Sequence, residues 1–361
     1  MIKFIHTGDI HLGSKFNNVS FDMEKAVMRR QELWDTFIRI IDYARENDAN
    51  FLFIAGDLFE EAYFTIRDII RVRDYFNSIK DINVIIVAGN HDYKGNNSLY
   101  DRIKWPENVT IFGGQAIEKR EFSELNTVIY GYSWGTKEIR ENNLFNDFNG
   151  VDETKNNILV LHGDVNNESR YLPLNLKELK RLNMDYIALG HIHKPQILEG
   201  NIAYCGCPEP LDFGEDGDRG IIEGTIEDKK VNIKFIPFSK RKFIVTEIEL
   251  NENMNYLEIE EKIINSVEGN KDKDFYRIIL NGYVNRNIDI KNIREKLKDS
   301  FYHMELIDNT ILDYDLEALE TENKDNIISH YIKAMKEKGL DDPVVKRALY
   351  VGLEVLLKGR E

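Results

Sequence analysis

Apolar and polar positions follow two different periods along the first part of the chain. Short apolar runs recur at Ile2–Thr7, Phe51–Ala55, Val84–Ala88, Ile158–Leu161 and Tyr186–Gly190. Each is nearly free of charge and gives way to turn-forming or polar residues, the pattern of strands covered on both faces of a sheet. Between the first three runs the spacing is helical. Leu33, Trp34, Phe37, Ile38, Ile41 and Ala44 make one apolar stripe, and Ile66, Ile69, Ile70, Phe76 and Ile79 another. Strand–helix–strand–helix–strand predicts a parallel, right-handed α/β core. From Ala116 the rhythm changes. Thr127–Gly131 reads as a strand with no catalytic residues at its end. Asn201–Cys205, Gly220–Ile226 and Val231–Phe238 read as antiparallel strands that complete a second sheet.

Lys240-Arg241-Lys242 marks a boundary. Beyond it, Phe243–Leu250, Phe275–Leu280 and Met304–Ile307 read as strands, with helices near Tyr256–Val267 and Ile290–Lys298. These predict a small α+β capping domain. A polar stretch, Glu320–Asn326, leads to two short helices. Ile327, Ile328, Tyr331, Ile332 and Met335 share one face, and Val345, Ala348, Leu349, Gly352 and Leu356 the other helix's face. Gly339 fits a helix stop and Asp342-Pro343 a cap followed by a first-turn proline. The division expected is 1–240, 241–320 and 321–361, the last a polar linker with a helical pair suited to docking on a partner.

Composition narrows this further. The chain has 361 residues, 42% hydrophobic and 31% charged, which describes a globular protein of two or three domains. No apolar run is long enough to span a bilayer, and Met1–His6 begins a strand without a signal peptide's apolar segment, so a cytoplasmic protein with no membrane partner is expected. Cys205 and Cys207 flank a single glycine with no second pair, too few for a disulfide framework or a thiolate zinc site. The net charge of -15 disfavours a protein that coats nucleic acid, while leaving room for a local basic strip. Lys15, Arg29, Arg30 and Arg102 are the candidates for that strip, as phosphate contacts.

The chemistry lies where the buried strands end. Asp9-x-His11 follows the first strand, Gly56-Asp57 the second and Gly89-Asn90-His91-Asp92 the third. His162 ends the fourth, and His191-x-His193 follows the fifth. Five of the eight histidines thus stand at strand ends, where open α/β sheets place ligands. In an extended segment Asp9 and His11 point the same way and reach one ion. In the tetrad, Asn90 offers a neutral oxygen, His91 a nitrogen base, and Asp92 a carboxylate that can hold the His91 ring. Asp9, His11, Asp57, Asn90, His162, His191 and His193 are too many for one ion and suit two that share a carboxylate. Two metals about 3.5–4 Å apart clamp a phosphate and generate hydroxide at neutral pH. Mixed imidazole and oxygen ligands suit manganese, iron or zinc. Neither a Gly-x-x-x-x-Gly-Lys loop nor a Gly-x-Ser-x-Gly elbow is present, which removes a nucleotide-fuelled motor and a serine hydrolase.

In this order, the five blocks resemble the calcineurin-like metallophosphoesterase superfamily. Asp9-Ile10-His11-Leu12-Gly13, Gly56-Asp57-Leu58-Phe59, Ala188–Pro195 and Pro208–Glu215 make the chain similar, over residues 1 to about 240, to DNA double-strand-break repair nucleases of the Mre-eleven/SbcD type. The resemblance implies a two-sheet α/β sandwich flanked by helices. It implies one metal held by Asp9, His11, Asp57 and His193, and a second held by Asp57, Asn90, His162 and His191. His91 would stabilise the transition state, held by Asp92. It further implies two manganese ions, 3′-to-5′ exonuclease and single-strand endonuclease activity on DNA, a homodimer, and a coiled-coil ATPase partner of the Rad-fifty/SbcC type bound through the C-terminal helices. One departure is Glu60, where some members carry a histidine; another acid there bears on the balance of exonuclease to endonuclease. A phosphatase or nucleotide phosphodiesterase would share every ligand. A non-catalytic scaffold would have no reason to keep all seven.

Overall fold

A computed structural model describes residues 1–361 apart from 17, 18, 142, 147, 149, 167 and 359–361. The end of the 321–361 segment therefore lies outside the described residues. The chain divides into two compact units, Met1–Lys242 and Phe243–Glu361.

In the first unit, β1 (Ile2–Thr7), β2 (Phe51–Ala55), β3 (Asn83–Val87) and β4 (Val109–Ile111) run parallel, with α1 (Met23–Glu46) and α2 (Ile66–Asn77) between successive strands. α1 starts where the Asp22 carboxylate accepts from the Lys25 amide, and α2 where Thr65 and Asp68 form a capping box. The two helical stripes close over this sheet: Leu33, Phe37, Ile41 and Ala44 pack with Ile69, Val72 and Phe76. A second sheet holds β5 (Glu118–Phe122), β6 (Thr127–Gly131), β7 (Asn156–His162), β8 (Tyr186–Gly190), β9 (Gln196–Glu199) and β10 (Ile202–Tyr204), in the order β5-β6-β7-β8-β10-β9. The sheets meet through Phe4, Phe51, Phe53, Ile85 and Val87 on one side and Ile129, Ile158, Val160, Tyr186 and Ala188 on the other. α3 (Leu176–Arg181) packs Leu179 into the outer core of the second sheet. This is the two-sheet α/β sandwich flanked by helices that the sequence predicts.

The placement of one hairpin overturns an expectation. β11 (Gly220–Glu227) and β12 (Lys230–Pro237) extend the first sheet, not the second, with β11 antiparallel to β1. Without them β1 would expose a row of unpaired amides. Successive residues of β11 serve opposite faces: Ile221 joins the core under α1 and α2, and Ile222 packs with Ala203 and Cys205. β10 does lie in the second sheet, antiparallel to β9 as expected and parallel to β8 on its other side.

The second unit is a parallel sheet of β13 (Phe243–Leu250), β14 (Phe275–Val284) and β15 (His303–Asp308), with β16 (Ile311–Leu312) beside the far end of β14. α4 (Tyr256–Ser266) and α5 (Ile290–Leu297) cover it with Ile259, Ile263, Ile293 and Leu297. The polar stretch expected as a linker is partly helical, since α6 (Leu316–Glu322) runs into it and buries Leu319. α7 (Ile327–Glu337) and α8 (Pro343–Lys358) are the expected pair. Gly339 has φ +90° at the stop, and the Asp342 carboxylate accepts from the Val344 amide at 2.8 Å. Their apolar faces do not stand bare: Ile328, Ile332, Met335, Leu349 and Leu353 form a core with Tyr314 and Leu319. Among the described residues, no helix is long and apolar enough to cross a membrane.

Candidate metal centre

All seven predicted ligands lie at or just past the carboxyl ends of strands in the two sheets. Their loops are held by backbone as well as side chains. Asp9 N donates to Gly56 O and His11 N to Asp57 O, both at 3.0 Å. The backbone route differs from the extended one expected for Asp9-x-His11. Both residues have left-handed backbone, φ +48° and +50°, as does Asp57 at +51°, and His191 stands at +100°. Such conformations cost roughly 1–3 kcal/mol each and persist where the surroundings over-determine them. Glycine is required where the loops cross. A Cβ on Gly56, itself at φ +88°, would lie 2.2 Å from His162 Nδ1, and one on Gly89 2.3 Å from Asp57 Oδ1.

The side chains converge. Asp9, His11 and His193 offer ligand atoms all within 4.8 Å of one another, and so do Asp9, Asp57 and His162. His11 Nε2 stands 3.1 Å from His193 Nε2. His162 Nε2 is 3.0 Å from Asn90 Oδ1 and 3.3 Å from Asp57 Oδ2, which lies 3.8 Å from His11 Nε2. Asp57 is therefore placed between the two groups, as a bridging carboxylate must be. The His191 ring meets His162 edge-on, with centroids 5.1 Å apart, and its amide donates to the Asp9 carboxylate.

Electrostatics point the same way. Burial lifts the Asp9 carboxyl above its usual range, against the pull of His193 and His162. At Asp57 burial is outweighed by His162 and His11, and the carboxyl is held well below that range. Burial disfavours a charged His162, yet Asp57 prevails and raises it to about 9. Burial and the charge of His162 hold His191 down at about 3, leaving it a neutral imidazole. Buried carboxylates that draw protons onto neighbouring imidazoles form a set that calls for cations, and a metal entering it displaces protons. The residues present fit divalent ions with mixed nitrogen and oxygen ligands.

Groups outside the predicted set orient the rings. His11 Nδ1 donates to Glu60 Oε1 at 2.7 Å, His193 Nδ1 pairs with Glu215 Oε1, and His162 Nδ1 donates to Ala55 O at 2.9 Å. Such partners leave Nε2 free to ligate. Glu215 also accepts from Cys207 Sγ at 3.4 Å and from the Leu211 amide at 2.7 Å. Trp134 is fully buried, stacks with His191 and donates to His162 O at 2.6 Å. Glu215 stood within a recognised block and Glu60 within a noted departure; Trp134 had no signal in the sequence.

Two expectations are corrected. Asp92 does not hold the His91 ring. Its carboxylate accepts from the amides of Asp57, Leu58 and Gly89 and from the Tyr100 hydroxyl, binding two ligand loops together. Glu60 Oε2 accepts from His91 Nδ1 instead, at 2.8 Å. Arg29 does not face a substrate. Its guanidinium is fully buried and pairs with Glu32 at 2.6 Å and Glu209 at 3.3 Å. Lys15 is exposed over the Tyr63 ring and lines a cleft of about 310 Å³ with His11, His91 and His193. Arg30 shares a neighbouring pocket with Lys15, and Arg102 is exposed.

Residues 2–195 match the calcineurin-like phosphoesterase family. An uncharacterized metallophosphoesterase of Bacillus subtilis is 32% identical over 65% of this chain, a match that spans 60% of its own length. Two proteins named as DNA double-strand break repair protein Mre11 match at greater length. That of Sulfolobus acidocaldarius is 25% identical over 92% of this chain and 91% of its own, and that of Sulfurisphaera tokodaii 25% over 81% and 77%. With the family's span covering more than half of the chain and two histidine–carboxylate groups converging at its strand ends, this protein belongs to the calcineurin-like phosphoesterases, which are metal-dependent enzymes.

Proposed function

We propose that the chain is a two-metal DNA phosphodiester hydrolase of double-strand-break repair, acting as a 3′-to-5′ exonuclease and single-strand endonuclease with manganese. The observation that carries this is the pair of ligand groups joined through Asp57 beneath an exposed His91. The relatives named Mre11, aligned over most of the chain, supply the DNA. Asp9, His11, Asp57 and His193 would hold one ion, and Asp57, Asn90, His162 and His191 the other. When bound, two such ions clamp a phosphate and lower the pKa of water. Asp57 supplies the shared charge. Asn90 adds an oxygen without charge, so the site keeps a positive balance for the substrate. His91 reaches into clefts on both sides of Glu60. Burial works against its charged form, but the hydrogen bond to Glu60 and the charge of Asp57 raise its pKa overall. A protonated His91 donates to phosphate oxygens where charge develops.

A second reading is favoured by one observation. The cleft of about 530 Å³ beside Asn90 and His91 carries three acids, Glu60, Glu61 and Glu138, which suits a small phosphodiester better than a polyanionic strand. Assays on blunt duplex, overhang and hairpin DNA, with manganese against magnesium, separate the readings. Hydrolysis of bis-(p-nitrophenyl) phosphate with no cleavage of any DNA would move the assignment to a nucleotide phosphodiesterase or phosphatase.

The partners belong to the same proposal: a second copy of the chain, and a coiled-coil ATPase docked on the C-terminal helices. The helical core is occupied, so the docking face is the outer one, where Val344, Val351 and Val355 are exposed along one side of α8. Val351→Glu with Val355→Glu leaves that core intact and should end co-elution with the ATPase. Stoichiometric co-elution of the double variant would exclude this face.

A further inference from the structure

Glu60 ties together two histidines that belong to different loops. Its backbone is fixed on both sides: the amide donates to Leu12 O at 2.9 Å, and the carbonyl accepts from Tyr63 N at 2.9 Å and Phe64 N at 3.0 Å. Its side chain then spans the gap, with Oε1 2.7 Å from His11 Nδ1 and Oε2 2.8 Å from His91 Nδ1. The two rings stand nearly perpendicular, at 83°, with centroids 4.7 Å apart. An ionised carboxylate has no proton to give, so both rings donate from Nδ1. The Nε2 lone pair of His11 is thereby left facing His193 and Asp57. His91 is turned into the open clefts, with its side chain 43% exposed.

We propose that Glu60 is a positioning residue that sets the tautomer and direction of the metal-facing His11 and the substrate-facing His91 together. This rests on the phosphodiesterase reading above. One carboxylate couples the two rings, so a change at Glu60 disturbs metal binding and turnover at once. Glutamine preserves the shape but not the function. It presents one oxygen and one NH₂, and can accept from only one of the two rings. The ring facing the NH₂ loses its hydrogen bond or turns to the tautomer protonated at Nε2. In His11 that tautomer cannot ligate. Alanine frees both rings. Aspartate keeps the charge but is one methylene short of spanning both.

The test uses the full chain and three readouts. In long-range ¹H–¹⁵N spectra of the metal-free protein, His11 and His91 should both be protonated at Nδ1, and Glu60→Gln should shift at least one. By calorimetry, manganese binding should weaken about 10–100-fold in Glu60→Gln and Glu60→Ala, the usual cost of losing an outer-shell partner. With bis-(p-nitrophenyl) phosphate at saturating manganese, kcat should fall over a similar range, about 10–100-fold, with KM little changed. Glu60→Asp should restore one of affinity or kcat and not both. Wild-type tautomers and wild-type manganese affinity in Glu60→Gln would overturn the proposal. A wild-type chain that binds manganese yet hydrolyses no phosphodiester overturns the enzymatic reading instead, and the tautomer and affinity measurements still decide the role of Glu60.

Discussion

Asp9, His11, Asp57 and His191 all carry side chains on left-handed backbone in the first unit, whereas in the second Asp325 is the one described non-glycine residue with positive φ. The first unit buries Asp9, Asp57, Asp92 and His162 together; the second buries Asp274, Asn323 and Ser329 at scattered positions. Each group of side chains among the described residues that could hold a metal ion lies in the first unit. Helices of the second unit follow the ordinary rules of capping: Asn255 and Glu258 form a capping box, and Asn326 accepts from the first turn of α7. Strain and buried charge both oppose folding. At Asp9 and Asp57 the two coincide, on residues of the candidate metal centre, and there the first unit gives up stability for chemistry.

The strongest way to break this comparison is at its centre. Asp57→Ala removes the carboxylate placed between the two ligand groups, so it should abolish both metal sites and all turnover. His193→Ala should chiefly weaken one site. Elemental analysis that finds two ions per chain in Asp57→Ala would dispose of the bridge. Next comes His91→Leu, which should lower kcat about 10²–10³-fold, the usual loss on removing a donor aimed at developing charge. Manganese binding should persist if Asn90 is the ligand from that loop, as proposed; a metal-depleted variant would reassign His91 as a ligand.

In the second unit the expected losses are of stability only. Leu353 is fully buried between α7 and α8. Leu353→Ala should destabilise that unit by about 2–5 kcal/mol in denaturant melts and leave manganese affinity as it was. Altered metal binding in that variant would mean that the units are energetically coupled. Per pH unit, the smallest effect lies between the two sheets. Burial holds the His6 imidazole down at about 3, from an ordinary 6.5, with Nδ1 2.8 Å from the Tyr186 hydroxyl. The unfolded chain therefore binds this proton first. His6 favours the folded state fully above pH 6.5, and its contribution is lost as pH falls from 6.5 towards 3, at up to about 1.4 kcal/mol per pH unit. Urea midpoints measured across that window should fall less steeply in His6→Phe, and parallel slopes would show that His6 does not titrate there.

The helical stripes, the core strands and the candidate ligands at their ends were legible in the chain itself. An apolar run that ends in Gly56-Asp57 or Gly89-Asn90-His91 states both its burial and its chemistry within a few residues. The helix stop at Gly339 and the cap at Asp342 are equally local. Tertiary structure decided what depends on contacts across long separations. Glu60 meets His91, and Glu215 meets His193, because separate loops close on one another. Arg29 resembles any surface cation until Glu209, 180 residues away, is found against it. β11 and β12 have the alternation of a hairpin that fits either sheet, and the open edge of β1 selects one. A strand's period fixes which faces it buries, and a ligand's type fixes which ions it can hold. Which partner orients a ring, and which edge receives a hairpin, follow from distances that do not exist until the chain has folded.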